Sequence, residues 1–281
     1  MSVILISYAN EEFFKSQKLL KKSALKNGVD EVIMFNDIWL KKQSSFYTTN
    51  KKLLENKKGA GYWIWKPYII LESLKKIKED DVLIYLDSGT EIIDNIKPLV
   101  EIAKQKSPLL FYNNGHKNST WTKRDCFYFM NCEDDLFYYG NQVAACYMFL
   151  TKNSFTLSFI TEWLNFVRDE KIISDNPNVC GLQNLSNFRD HRHDQSVLSL
   201  LAIKYQIELF RDPSQWGNYL KTKELRKIRE FTFKEYDDMP FKNSPYNTIL
   251  NAHRKKHPLN LIDRIQYRIH KLFNLKAFQT P

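Results

Sequence analysis

Short apolar runs alternate along this chain with longer segments of helical period, the pattern of strands threaded between helices in an α/β fold. Val3 to Ser7 reads as a buried first strand ending in the polar loop Tyr8-Ala9-Asn10. From Glu11 to Lys26 the apolar residues Phe14, Leu19, Leu20 and Leu25 recur at helical period, and Asn27-Gly28 supplies the stop. Glu31 to Phe35 is the second expected strand. The stretch 40–60 is polar and basic and reads as loop and helix. Lys66-Pro67 opens a helix carrying Ile69, Ile70, Leu71, Leu74 and Ile77, with Pro in its first turn. Asp80-Asp81 marks a turn before the strand Val82 to Leu86. The pattern predicts further strands at 109–112, 144–150 and 207–210, and helices at 155–170 and 195–204.

The last segment reads differently. After Pro258, Leu259, Ile262, Ile265, Ile269, Leu272 and Phe273 fall three or four apart, with Arg264, Arg268 and Lys271 on other faces. This is the outline of a basic amphipathic helix, suited either to a membrane surface or to packing back on the domain. The division expected is therefore one α/β domain over 1–250 and a basic extension over 251–281.

Composition narrows the picture modestly. Hydrophobic residues at 43% and charged residues at 26% are ordinary for a folded protein, and 8 Gly with 9 Pro argue against long linkers. The 42 Lys+Arg against 32 Asp+Glu give +10, which favours anionic partners without choosing among them. The Lys residues are interleaved with Asp and Glu, and no nucleic-acid-binding signature appears, so nucleic acid is the weaker reading of that charge. The four Cys have no CxxC spacing, which argues against a zinc knuckle. No stretch reaches the roughly 18 apolar residues of a membrane span, and the expected compartment is cytoplasmic, with peripheral contact at the inner membrane face through the C-terminal helix.

Four segments carry candidate chemistry. Asp87 directly follows the apolar strand Val82-Leu83-Ile84-Tyr85-Leu86, and ligands of open α/β sheets bind outside the carboxyl ends of strands. A carboxylate there can hold a divalent cation, or it can simply cap the Ser88-Gly89 turn. Gly61-Tyr62-Trp63-Ile64-Trp65-Lys66-Pro67 sets aromatics and a cation at a helix start, where anions are favoured. One or both Trp could equally pack in the core. Arg189-Asp190-His191-Arg192-His193-Asp194-Gln195-Ser196 holds two His and two Asp, readable as a metal site of a hydrolase or as a polar helix cap. Gln215, Trp216 and Asn218, after Asp212-Pro213, suit recognition of a sugar.

The first three of these carry a resemblance. Tyr85-Leu86-Asp87-Ser88-Gly89-Thr90 resembles the strand-end acidic motif of GT-A glycosyltransferases, above all glycosyltransferase family 8, which reads Leu-Asp-x-Asp-Thr. Asp194-Gln195, with Leu198, is similar to that family's Asp-Gln-x-x-Leu element. The aromatic segment before Asp87 is similar to one in many glycosyltransferases of polysaccharide loci. The resemblance implies a GT-A-like domain with a mostly parallel central sheet flanked by helices. It implies transfer of a sugar from a nucleoside diphosphate sugar to a glycan or lipid-linked glycan in surface polysaccharide or lipopolysaccharide synthesis. Donor binding falls to Ser7, Tyr8, Asn10, Trp65, Lys66, Asp87, Ser88 and Gly89, with Lys66 meeting the diphosphate. Asp194, Gln195 and His193 lie at the reacting carbon, and Gln215, Trp216 and Asn218 hold sugar or acceptor. A divalent cation, manganese or magnesium, would sit on Asp87, but Gly89 stands where the family has its second, principal metal-binding Asp. That departure weighs against metal dependence.

Overall fold

A computed structural model of the protein describes residues 1–218 and 243–254. Nine strands occur among them: β1 (Val3–Ala9), β2 (Glu31–Asn36), β3 (Val82–Leu86), β4 (Thr90–Ile92), β5 (Leu110–Lys117), β6 (Asn141–Val143), β7 (Tyr147–Thr151), β8 (Leu209–Phe210) and β9 (Leu250–Ala252). The central sheet has the order β2-β1-β3-β7. β1 runs parallel to β2 and β3, while β7 is antiparallel to β3, with Leu86 opposite Tyr147. Two further sheets, β6-β5-β8 and β4-β9, complete a mixed α/β domain. An isolated bridge between Leu109 and Phe149 joins the start of β5 to β7.

The apolar runs are explained by burial on both faces. Every residue of β1 and β3 is buried, as expected of strands covered by helices on each side. Alternation along the strands then sorts their side chains into two cores. Ile4, Ile6, Leu83 and Tyr85 join Met148 and Leu150 beneath the helices Trp65–Lys76 and Ser154–Val167. Val3, Leu5, Val82, Ile84 and Leu86 join Tyr147 and Phe149 beneath Phe14–Lys26 and Lys97–Gln105. Gln17, buried in the first helix, donates to the carbonyls of Ser7 and Phe35 and so ties the ends of β1 and β2 together.

Several boundaries differ from expectation, each for a local reason. The strand expected from Ala144 begins only at Tyr147, because the Ala145 carbonyl leaves the ladder to accept from the Lys66 ammonium. The expected helix over 155–170 is Ser154–Val167, capped by Asn153, and a separate turn Glu170–Ile173 follows an Asp169 cap. Leu25, read as part of an apolar stripe, is exposed, and the helix turns Ser16, Gln17, Leu20, Ser23 and Ala24 inward instead. The polar stretch 40–60 folds as three short right-handed helices, Asp37–Lys42, Ser44–Thr49 and Lys51–Leu54, and then a left-handed turn. The strand β9 was not legible; it pairs with β4, so the boundary drawn after residue 250 falls inside a ladder. The amphipathic segment 259–273 lies outside the described residues. No helix among the described residues is long and apolar enough to cross a membrane.

Candidate active site

The carboxyl ends of β1 and β3, the starts of the helices Trp65–Lys76 and Asp194–Lys204, and the approach to and exit from β9 enclose one cavity of about 810 Å³. Its floor is a cation held between carboxylates. Lys66 is only 3% exposed, and its Nζ lies 2.8 Å from Asp194 Oδ2 and 3.5 Å from Asp87 Oδ1. The same ammonium donates to the Ala145 carbonyl at 3.1 Å. Asp87 is carried by the end of β3, and the buried Tyr85 hydroxyl donates to its Oδ1. Asp194 opens its helix and is fixed from below, where Trp163 Nε1 donates to the Asp194 carbonyl at 3.0 Å.

Electrostatics of this floor follow from its dryness. Burial pushes the Asp194 carboxyl up to about 6, against the pull of Lys66. Burial also opposes the charge on Lys66, but Asp194 and Asp87 outweigh it and hold the ammonium up at about 12. The lysine is thus a cation at neutral pH, paired with two carboxylates and donating to one carbonyl. Its expected role, meeting a diphosphate, does not fit this geometry: Lys66 binds the two carboxylates into one unit.

The aromatic segment splits in two. Five consecutive residues from Gly59 to Trp63 have positive φ, a left-handed turn that costs about 1–2 kcal/mol at each non-glycine position. A Cβ on Gly61 would stand 2.6 Å from Leu54 Cα, so the turn requires that glycine. Both tryptophans reach the cavity wall, Trp63 directly after the turn and Trp65 as a buried core residue stacked on Tyr8 with ring centroids 4.0 Å apart. Trp65 also donates from Nε1 to the Gly59 carbonyl, which braces the turn.

The two histidines do not form a metal site. His191 accepts from the Lys123 amide at Nδ1 and meets the Ile172 carbonyl at Nε2, so both ring nitrogens are used. Burial holds it well below the usual histidine range. His193, in a strained conformation with φ 51°, bonds Asp175 at 2.9 Å and stacks on Tyr62. Asp175 in turn holds Lys58 at 2.9 Å. Among the described residues no group of three or more His, Cys, Asp or Glu is arranged to hold a metal ion. The hydrolase reading of the 190–194 cluster loses its premise.

Of the expected donor-site residues, Tyr8, Asn10, Trp65, Lys66, Asp87, Ser88 and Gly89 line the cavity, as do His193, Asp194, Gln195 and Trp216. Ser7 does not; it is fully buried in β1. Gln215 is also elsewhere, its side-chain amide exchanging hydrogen bonds with both the amide and carbonyl of Ala252. The Asn218 side chain lies outside the described residues. Gln195 reaches Gln142 at 2.7 Å. Asn10 Oδ1 is buried with no hydrogen-bond partner among the described residues, an acceptor left at the end of β1.

The fit to a divalent cation can be judged from the donors present. Asp87 Oδ1 already receives the Tyr85 hydroxyl and faces Lys66. Glu91 pairs with Asn251 in the β4-β9 ladder and does not line the cavity. A Cβ on Gly89 would stand 2.9 Å from Arg254 Cα, so no acidic side chain fits there without moving the chain that crosses it. These residues do not fit a GT-A-type cation.

Residues that the sequence reading did not single out complete the wall. Trp121 packs against His116, with ring centroids 5.0 Å apart, and under the Arg192 guanidinium at 4.1 Å. Arg254 stands over Trp216 at 5.7 Å. Arg192 was visible inside the 189–196 motif, but nothing local marks Arg254, because its place depends on β9.

No protein-family model matches this chain, and no curated protein does. Among solved structures, mouse xyloside xylosyltransferase 1 in its apo form is similar over 92% of this chain and all of its own, at 11% identity and a TM-score of 0.45. The apo glycosyltransferase GlyE of Streptococcus pneumoniae TIGR4 is similar over 99% of this chain and 65% of its own, at 11% identity and a TM-score of 0.43. The galactosyltransferase LgtC, solved with donor and acceptor sugar analogs, is similar over 99% of this chain and 97% of its own, at 10% identity and a TM-score of 0.43.

Proposed function

We propose that this protein transfers a sugar from a nucleoside diphosphate sugar to a hydroxyl of a glycan or lipid-linked glycan, in the synthesis of a surface polysaccharide or lipopolysaccharide. One observation carries the reading: a single buried lysine brings Asp87, at the end of a central strand, and Asp194, more than a hundred residues away in sequence, onto the floor of one cavity. The nucleoside lies across the ends of β1 and β3, where Asn10 Oδ1 offers an acceptor to a ribose hydroxyl or base N–H and Asp87 keeps a second oxygen for the ribose. The sugar then points toward Asp194 and Gln195.

In the transfer, the bond from the anomeric carbon to the phosphate oxygen breaks and its electron pair leaves with the diphosphate. A new bond forms from the acceptor oxygen to that carbon, and the hydroxyl proton passes through the departing phosphate to water. The anomeric carbon gains positive charge on the way, and the fixed Asp194 carboxylate stabilises it without reorganising. Trp63, Trp121 and Trp216 supply aromatic faces on the cavity wall for sugar rings. A screen of nucleotide sugars for hydrolysis and transfer, with and without manganese, tests the reading. Turnover of one donor that is lost in Asp194→Asn is the expected result, and no turnover or binding of any donor would overturn it.

A further inference from the structure

If the enzyme takes a nucleoside diphosphate sugar, its leaving group gains a negative charge that something must neutralise. Neither usual source is at hand. Among the described residues the acidic donors do not converge on a cation site, and Lys66 is committed to two carboxylates and a carbonyl. Lys58 is held by Asp175 at 2.9 Å and Asp190 at 3.7 Å.

Lys57 also lines the cavity, as a point charge, and two guanidinium groups stand on its wall, each laid over a tryptophan. They come from opposite ends of the domain. Arg192 precedes the helix Asp194–Lys204; its backbone amide is fixed to the Trp121 carbonyl and to Ser196 Oγ. Its Nε is buried without a hydrogen-bond partner among the described residues, an orphaned charged donor at the cavity. Arg254 arrives from β9, and its amide donates to the Gly89 carbonyl at 2.9 Å. Its backbone therefore occupies the space in which a second strand-end carboxylate would have stood. Burial depresses the Arg192 guanidinium, Asp190 opposes this, and the neighbouring Arg254 adds to the depression. An anion in this cavity is attracted by both guanidinium groups. Planar guanidinium forks also match phosphate oxygens better than an ammonium does. Acidic groups on the same wall are Glu12 and Asp190, the latter lying 3.7 Å from Lys58.

We propose that Arg192 and Arg254 form a metal-free clamp for the diphosphate, with Gly89 kept small so that the Arg254 backbone can cross the strand end. In the transfer step the clamp receives the electron pair's charge on the β-phosphate oxygen, and no divalent ion takes part.

The test measures binding of UDP, GDP, ADP and dTDP to the full chain by calorimetry, in EDTA and then in manganese, and sets the best diphosphate against its monophosphate. The expected result is binding in EDTA that changes less than twofold with manganese. Arg192→Ala and Arg254→Ala should each weaken the diphosphate tenfold or more while leaving the monophosphate within about threefold. Arg192→Lys and Arg254→Lys keep the charge without the fork, and intermediate losses from them show that a weakened alanine variant has not merely misfolded. A diphosphate that binds only with manganese, or arginine variants that bind it normally, would overturn the clamp and leave the glycosyltransferase reading standing. Absence of binding to any nucleotide under both conditions would overturn both.

Discussion

Two sets of cations face the same cavity and are built in opposite ways. On the floor, Lys66 is buried beside its counter-charges Asp194 and Asp87 and donates to the Ala145 carbonyl. On the wall, Arg192 and Arg254 stack on tryptophans, and the Nε of Arg192 has no partner among the described residues. A buried charge is tolerated only when its counter-charges are already in place, so the floor cation organises protein groups. The wall cations, half in water, keep their donors for a ligand. Equal formal charges thus do different work according to which bonds are already made.

The sharpest way to break this comparison is to delete the floor cation. Lys66→Met leaves Asp194 buried without its partner and should cost about 3–5 kcal/mol of stability in urea unfolding. Arg192→Ala, by contrast, should cost about 1 kcal/mol or less. Similar losses in the two variants would erase the distinction.

A pH titration sharpens it next. The Asp194 carboxyl sits at about 6 in the fold against 3.8 in the open chain. With the folded value raised, this group alone makes folding more favourable as pH falls through that window, by roughly 3 kcal/mol in all. Catalysis needs the ionised form, so turnover should drop below about pH 6 while the stability difference between wild type and Asp194→Asn moves the other way. The groups facing it are Lys66, Asp87 and Tyr85. A rate that stays flat down to pH 5 would remove Asp194 from the chemistry.

Gly89→Asp tests whether the strand end is closed to a second carboxylate. Its Cβ would meet Arg254 Cα at 2.9 Å, so a loss of about 1–3 kcal/mol is expected, without any gain of manganese dependence. A stable, manganese-activated variant would show that the crossing chain yields easily. A smaller loss than that of Lys66→Met also belongs to Gln215→Leu, which removes two hydrogen bonds to Ala252. A loss of about 1–2 kcal/mol is expected, with a rise in donor KM at nearly constant kcat as Arg254 loses its anchor.

The strand Val82–Leu86 and its terminal Asp87 were legible because a central strand is apolar on both faces and its end is marked by the first polar residues. The helix from Asp194 was equally plain. The left-handed turn at 59–63 was not, since Gly59 and Gly61 signal only freedom, and the packing of Leu54 and Trp63 decides how it is used. Gln215 looked like a sugar ligand by composition and proved to be a clasp on β9, because an amide side chain serves either purpose with the same atoms.

The sequence by itself determined which runs are strands and helices, and where the first carboxylate stands, since burial periodicity and chain termination are local properties. Only the tertiary structure decided that Lys66 faces inward, that Gly89 lies under Arg254, and that Arg192 and Arg254 share a wall. Those are pairings between distant segments, and a charge acquires its role only when its partners, or their absence, are fixed in space.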